Sequence, residues 1–198
     1  MSYTLSGQAS YQEDIRKSRF LALAAPIMTV DEALRFFAEH AVPDATHNCW
    51  AFKLGQVYRF NDDGEPGGTA GRPILQAIEG QGCDRVAVLV IRWFGGVKLG
   101  TGGLVRAYSG VAAHCLRLAE KIELVDEVRV RCGCVFNDMV RVQSRMQGCH
   151  ARIVHEQFDE TGVQWDLILP RAQLEVWEET FRNLTRGQGI WALPDAPD

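Results

Sequence analysis

Two loops of this chain concentrate the side chains that could do chemistry. The longer runs Arg92-Trp93-Phe94-Gly95-Gly96-Val97-Lys98-Leu99-Gly100-Thr101-Gly102-Gly103-Leu104-Val105-Arg106, with five glycines in nine residues. Glycine tolerates positive φ and lets a partner come close to backbone N–H groups. N–H groups left free at a helix start, helped by the helix dipole, favour an anion. No acid lies between Asp84 and Glu120, yet that span holds Arg85, Arg92, Lys98, Arg106 and Arg117. Uncompensated positive charge among glycines reads as an anion- or phosphate-binding surface. Its candidate contacts are Arg92, Phe94, Gly95, Gly96, Lys98, Gly100, Thr101, Gly102, Gly103, Arg106 and Tyr108. Trp93, Phe94 and Tyr108 could stack on bases or simply fill the space that glycines leave. Nucleotide motifs do not fit. Thr101 follows Gly100 where a P-loop needs lysine, and the dinucleotide fingerprint lacks its third glycine. No nucleotide cofactor is expected.

The second loop, Asn61-Asp62-Asp63-Gly64-Glu65-Pro66-Gly67-Gly68-Thr69-Ala70-Gly71-Arg72-Pro73, has the opposite charge. Its carboxylates could hold Mg²⁺ or divide into acid and base. Against that, the alternating ligands and distal glutamate of a calcium loop are absent. The plainer reading is that Asp62 and Asp63 cap turns while Glu65 pairs with Arg72, Arg92 or Arg106. His47-Asn48-Cys49 invites a Cys–His nucleophile. Strand alternation, however, turns the Cys49 thiol to the apolar face and leaves His47 at the strand entrance. His47, Asp62, Asp63, Glu65, Thr69 and Arg72 form the second half of the candidate site. No metal ligand set is expected: His40, His114, His150 and His155 lack ligand spacing, and Cys132-Gly133-Cys134 has no second pair. The six cysteines read as small apolar residues of a reduced compartment.

Both loops run from strand to helix, so a mixed scaffold must position them. Phe20–Ile27 reads as an apolar strand, and Thr29 or Asp31 opens a helix through Phe37. Cys49–Leu54 and Val57–Phe60 make a hairpin, and Arg72–Gly80 a helix started by Pro73. Arg85–Trp93 is apolar on both faces, the mark of a central strand, and Leu104–Leu118 is a long helix. Beyond a boundary between Glu120 and Asp126 the pattern changes. Val128–Phe136 alternates as a strand, and Asn137 or Asp138 caps a helix ending at Gly148. Arg152–Phe158 and Val163–Leu169 form a hairpin, Pro170 introduces a helix, and Gly189–Leu193 is a last strand. Strand-helix-strand-strand-helix-strand is the ferredoxin-like arrangement. The fold class is therefore α+β in two domains, 1–123 and 126–198.

The 198 residues are 46% hydrophobic and 23% charged, which excludes a disordered tail, a collagen-like fibre and a disulfide-dense toxin. No apolar run is long enough to span a membrane, and no signal peptide is visible. A cytoplasmic protein without membrane contact is expected. The net charge of −4 lies wholly in the second part, where 8 basic residues face 12 acidic ones.

His47-Asn48-Cys49-x-Ala51, Asp62-Asp63-Gly64-Glu65-Pro66-x-Gly68-Thr69-Ala70-Gly71-x-Pro73 and Arg92-x-Phe94-Gly95-Gly96-x-Lys98-Leu99-Gly100-Thr101-Gly102-Gly103-Leu104-x-Arg106-Ala107-Tyr108 together resemble the IMPACT family in its bacterial YigZ-type form. The resemblance spans roughly Ser18–Leu118. It implies a ribosomal-protein-S5-domain-2-like fold for the first domain and a likeness to the last domain of elongation factor G for the second. Eukaryotic members restrain an initiation-factor kinase through an added N-terminal RWD domain. Here the motif begins about twenty residues into the chain, so the bacterial type is implied and the kinase role is not carried over. The resemblance implies no settled catalytic mechanism. Two readings follow. The first is a non-catalytic protein binding RNA, the ribosome or a translation factor, a translation-linked regulator with Arg92, Lys98 and Arg106 on phosphate. The second is a hydrolase or transferase acting on a small anionic substrate between the two loops, with Asp62, Asp63 or Glu65 as base.

Overall fold

A computed structural model describes residues 2–194, which part into two units between Leu124 and Val125. The first unit contains strands Ser2–Leu5 (β1), Ala9–Ile15 (β2) and Ser18–Pro26 (β3), then helix Val30–His40 (α1). Strands His47–Leu54 (β4) and Val57–Asn61 (β5) precede helix Gly71–Gly80 (α2). Strand Val86–Trp93 (β6), helix Thr101–Leu118 (α3) and strand Lys121–Leu124 (β7) complete it.

Five strands form one antiparallel sheet in the order β2-β3-β6-β4-β5. The run Val-Ala-Val-Leu-Val-Ile lies at its centre because both of its faces are covered. Val86, Val88 and Val90 enter a core with α2 and α3, while Ala87, Leu89 and Ile91 enter a second core with α1. Thr29 caps α1 by accepting from the Glu32 amide at 3.1 Å. Both strand-to-helix loops leave the same end of the sheet, since β4 and β6 are antiparallel and His47 pairs with Arg92.

Three strands have no counterpart in the sequence expectation. β1 and β7 make a separate two-stranded sheet, with Ser2 opposite Leu124. β2 forms the sheet edge and joins β3 through the two-residue turn Arg16-Lys17. α3 starts at Thr101, three residues before the expected Leu104, because the last glycines already belong to the helix.

The second unit comprises Glu127–Val135 (β8), Phe136–Met146 (α4), Arg152–Phe158 (β9), Gly162–Pro170 (β10), Leu174–Leu184 (α5) and Ile190–Ala192 (β11). Its antiparallel sheet has the order β11-β8-β10-β9, a ferredoxin-like βαββαβ domain. Val130, Trp165, Leu167, Trp177 and Phe181 fill its core. Two details differ from expectation. α4 begins at Phe136 without a side-chain cap, rather than behind Asn137 or Asp138, and Asp138 is instead buried beside Arg141 at 3.2 Å. After Pro170 the chain makes a 3-10 turn, Arg171–Gln173, before α5.

Candidate functional site

The acidic loop is built around Asp62. Its carboxylate accepts from the backbone amides of Gly68 at 2.8 Å, Ala70 at 3.0 Å and Gly71 at 2.8 Å. Partial burial would raise its pKa, but the three amides outweigh that and hold the carboxyl below its ordinary value. These bonds tie the loop shut and cap α2 from a distance. Asp63 accepts from the Asn48 amide, which fixes the loop to the start of β4. Thr69 is buried and donates to the Pro66 carbonyl at 2.6 Å. Asp62 and Asp63 are thus turn-making residues, and among the described residues no group of His, Cys, Asp and Glu is placed to hold a metal.

Glu65 points inward and is 8% exposed. Its Oε1 accepts from Nη1 of Arg92 at 2.6 Å and from the Tyr108 hydroxyl at 2.7 Å. Of the three arginines expected as its partner, Arg92 is the one it meets. Arg72 and Arg106 are exposed and form no ion pair among the described residues. The bond between Glu65 and Arg92 joins the two loops, and it also corrects two expectations. Arg92, 5% exposed, lies under Phe94 and beside Phe20 and is consumed by Glu65, so it does not reach an external phosphate. Tyr108 is fully buried and packs edge-on to Phe20, so it stacks on no base. Trp93 is likewise occupied, with the Arg19 guanidinium 3.9 Å from its ring centre.

His47 stands at the seam. Its Nδ1 lies 2.7 Å from the Asp63 carbonyl, which can only accept, so Nδ1 carries the proton. Nε2 then faces Glu65 Oε1 at 3.8 Å. Gly64, at φ +83°, passes beneath the ring. Cys49 is sealed, and its thiol donates to the Asp62 carbonyl at 3.0 Å. Burial pushes that thiol up to about 12, with Glu65, Asp63 and Asp62 adding to the rise and the Tyr108 hydroxyl opposing it. Cys49 is therefore a neutral thiol at physiological pH and no nucleophile.

The glycine loop turns its exposed side outward. Phe94, Gly96, Lys98, Gly100, Thr101, Gly102 and Arg106 are exposed, and Gly95 and Gly103 half-buried. Gly96 and Gly100 have φ of +85° and +72°, which explains two of the five glycines. Gly100 precedes an 18-residue helix whose first turn has neither a side-chain cap nor an acid. No side chain therefore caps its leading N–H groups, and the Arg106 guanidinium lies beside Gly102. Sequence reasoning missed Arg16, Lys17 and Ser18. Ser18 Oγ accepts weakly from Arg92 and from the Gly95 amide, both at 3.4 Å. The signal for the turn at 16–17 was the alternation of 9–15, but no Asn-Gly marked its end.

A model of the Impact N-terminal domain matches residues 16–116. An IMPACT family member of Thermus thermophilus is 53% identical over 178 residues, covering 89% of this chain and 98% of that protein. The IMPACT family member YigZ of Escherichia coli K12 is 33% identical over 184 residues, covering 88% and 89%. A crystal structure described as that of a hypothetical protein superposes with a TM-score of 0.64 at 29% identity. It covers 99% of this chain and 98% of its own.

Proposed function

Since the chain belongs to the IMPACT family, we propose that it is a non-catalytic, translation-linked RNA-binding protein whose first unit grips sugar-phosphate backbone on the ribosome. The observation that carries this reading is the exposed start of α3. Lys98 and Arg106 lie in sequence on either side of N–H groups that no side chain caps, both are exposed, and neither has an ion pair among the described residues. Phe94, 45% exposed, offers one stacking face. Charge of this kind gives salt-sensitive affinity for phosphate without sequence specificity. Lys98→Glu with Arg106→Glu changes only exposed side chains, so the variant folds. In lysate it should lose co-sedimentation with ribosomes that the parent shows at low salt and sheds as salt rises. Equal sedimentation of parent and variant sinks the reading.

A second reading rests on His47. A histidine held by a backbone carbonyl, with its other nitrogen beside a fixed carboxylate, is equipped to move protons. An enzyme acting on a small anionic substrate would use His47 as its base, in place of the engaged Asp62, Asp63 and Glu65. His47→Gln separates the two: it spares RNA association and abolishes turnover.

A further inference from the structure

Ile15 pairs directly with Ser18, so Arg16 and Lys17 alone make the turn from β2 to β3. Both have positive φ, +47° and +69°. That is the backbone of a type I′ hairpin turn, which strongly favours Asn-Gly. Two long β-carbon-bearing cations at these positions carry backbone strain that a turn needs for no structural purpose. Neither has an ion pair among the described residues.

The turn is pressed onto the glycine loop. A Cβ at residue 95 would sit 1.8 Å from the Lys17 carbonyl oxygen, so only glycine allows the approach. Beside it lies a hollow of about 230 Å³ lined by Arg16 and Arg106 together with Ile15, Leu99, Gly103 and Ala107. Two arginines line one hollow with no carboxylate among its lining residues, so their charge is left to be neutralised from outside. Guanidinium forks match the oxygens of phosphate bidentately, and they lose less hydration than ammonium groups on doing so.

We propose that this hollow between the β2–β3 turn and α3 is a phosphate-binding site, with Arg16 and Arg106 closing on a single phosphate group and Lys17 adding charge at its rim. It rests on the RNA-binding reading and deepens it by naming where one phosphate is held. A backbone phosphodiester, a terminal phosphomonoester and free phosphate share the required chemistry.

The test uses the turn's own strain. Arg16→Asn with Lys17→Gly installs the favoured turn residues, so the variant should melt above the parent while binding phosphate worse. Arg106→Gln removes the second guanidinium without touching the turn. Fluorescence anisotropy would follow a short single-stranded RNA bearing a 5′ phosphate and the same RNA with a 5′ hydroxyl, and isothermal titration calorimetry would follow inorganic phosphate directly. Both variants should lose at least about tenfold in affinity, the size of one charge-assisted contact. Preference for the 5′-phosphorylated RNA identifies a monoester site, equal binding of both RNAs a diester site, and binding of inorganic phosphate alone a free-anion site. If the parent binds RNA and both variants match it, the hollow is not a phosphate site although the RNA reading stands. If the parent binds phosphate but no RNA, and the variants lose phosphate, the hollow stands and the RNA reading falls. Binding of none of the three probes by the parent overturns both. Should the Asn-Gly variant melt below the parent, the turn residues are structural and Arg106→Gln alone decides.

Discussion

Replacing Glu65 by glutamine would keep the side chain's shape and leave the Arg92 guanidinium buried beside a neutral amide. Removing one partner of a buried ion pair typically costs about 3–5 kcal/mol, because the remaining charge has no solvent to turn to. Glu65→Gln should therefore sharply reduce amide-exchange protection of Val88 and Val90 in the neighbouring strand. Glu65→Leu with Arg92→Met, which removes both charges, should recover most of it. Unchanged protection in the single variant would mean that the pair holds nothing together. The residues of this network were legible in the sequence as chemistry but not as location. Arg92 reads as a surface cation from its glycine-rich surroundings, yet its partner lies 27 positions away on another loop. Tyr108 reads as a stacking face until that same carboxylate draws its hydroxyl inward. Whether a charged or aromatic side chain is buried depends on which distant group neutralises it, and local spacing carries no record of that. Asp62 and Cys49 were easier, since turn chemistry and strand alternation are both local.

Among the elements, the hairpin β2–β3 and the glycine loop are locked by one missing methyl group. Gly95→Ala would place a carbon 1.8 Å from the Lys17 carbonyl oxygen, a main-chain atom that cannot swing aside. The hairpin must move away, at about 1–3 kcal/mol, the usual cost of overpacking. Gly102→Ala is the control. Its new methyl group would meet nothing nearer than the flexible Arg106 guanidinium at 3.6 Å, and alanine in a helix is worth up to about 1 kcal/mol over glycine. Melting temperatures should move in opposite directions, and a Gly95→Ala protein melting with the parent would remove the lock. α1 and β4 were readable because each matches a single hydrophobic period, β5 because Gly55-Gln56 marks a hairpin, and β6 because its unbroken apolar run suits a strand covered on both faces. β2 was not, because Ala9, Tyr11, Glu13 and Ile15 share its half-buried side and only the alternation, not the polarity, marks a strand. β7 escaped for another reason: its four residues lie where composition signals a boundary, and its partner β1 is far away in sequence.

At the scale of the whole chain, charge and core divide together. Residues 1–125 carry 13 basic and 13 acidic groups, so the net −4 belongs to the second part, which also has a hydrophobic core of its own. Residues 125–198 expressed alone should melt cooperatively and show no affinity for RNA at any salt concentration. A fragment that stays unfolded would show that this core is insufficient by itself, and one that binds RNA would relocate the binding surface. The small sheet of β1 and β7 has a mechanical meaning. Ser2 lies opposite Leu124, so the first unit receives and releases the chain at neighbouring points, with the two strands antiparallel. A pull applied between those points loads the four paired positions one after another, as a zipper opens, rather than all at once in shear. Peeling β1 away would also break the backbone bonds that join Tyr3 to Gly82 and Asp84 and draw Leu5 out of the core. Traction on the chain would thus meet the zippered ribbon first and then, through Leu5, the core on which α2 and α3 rest.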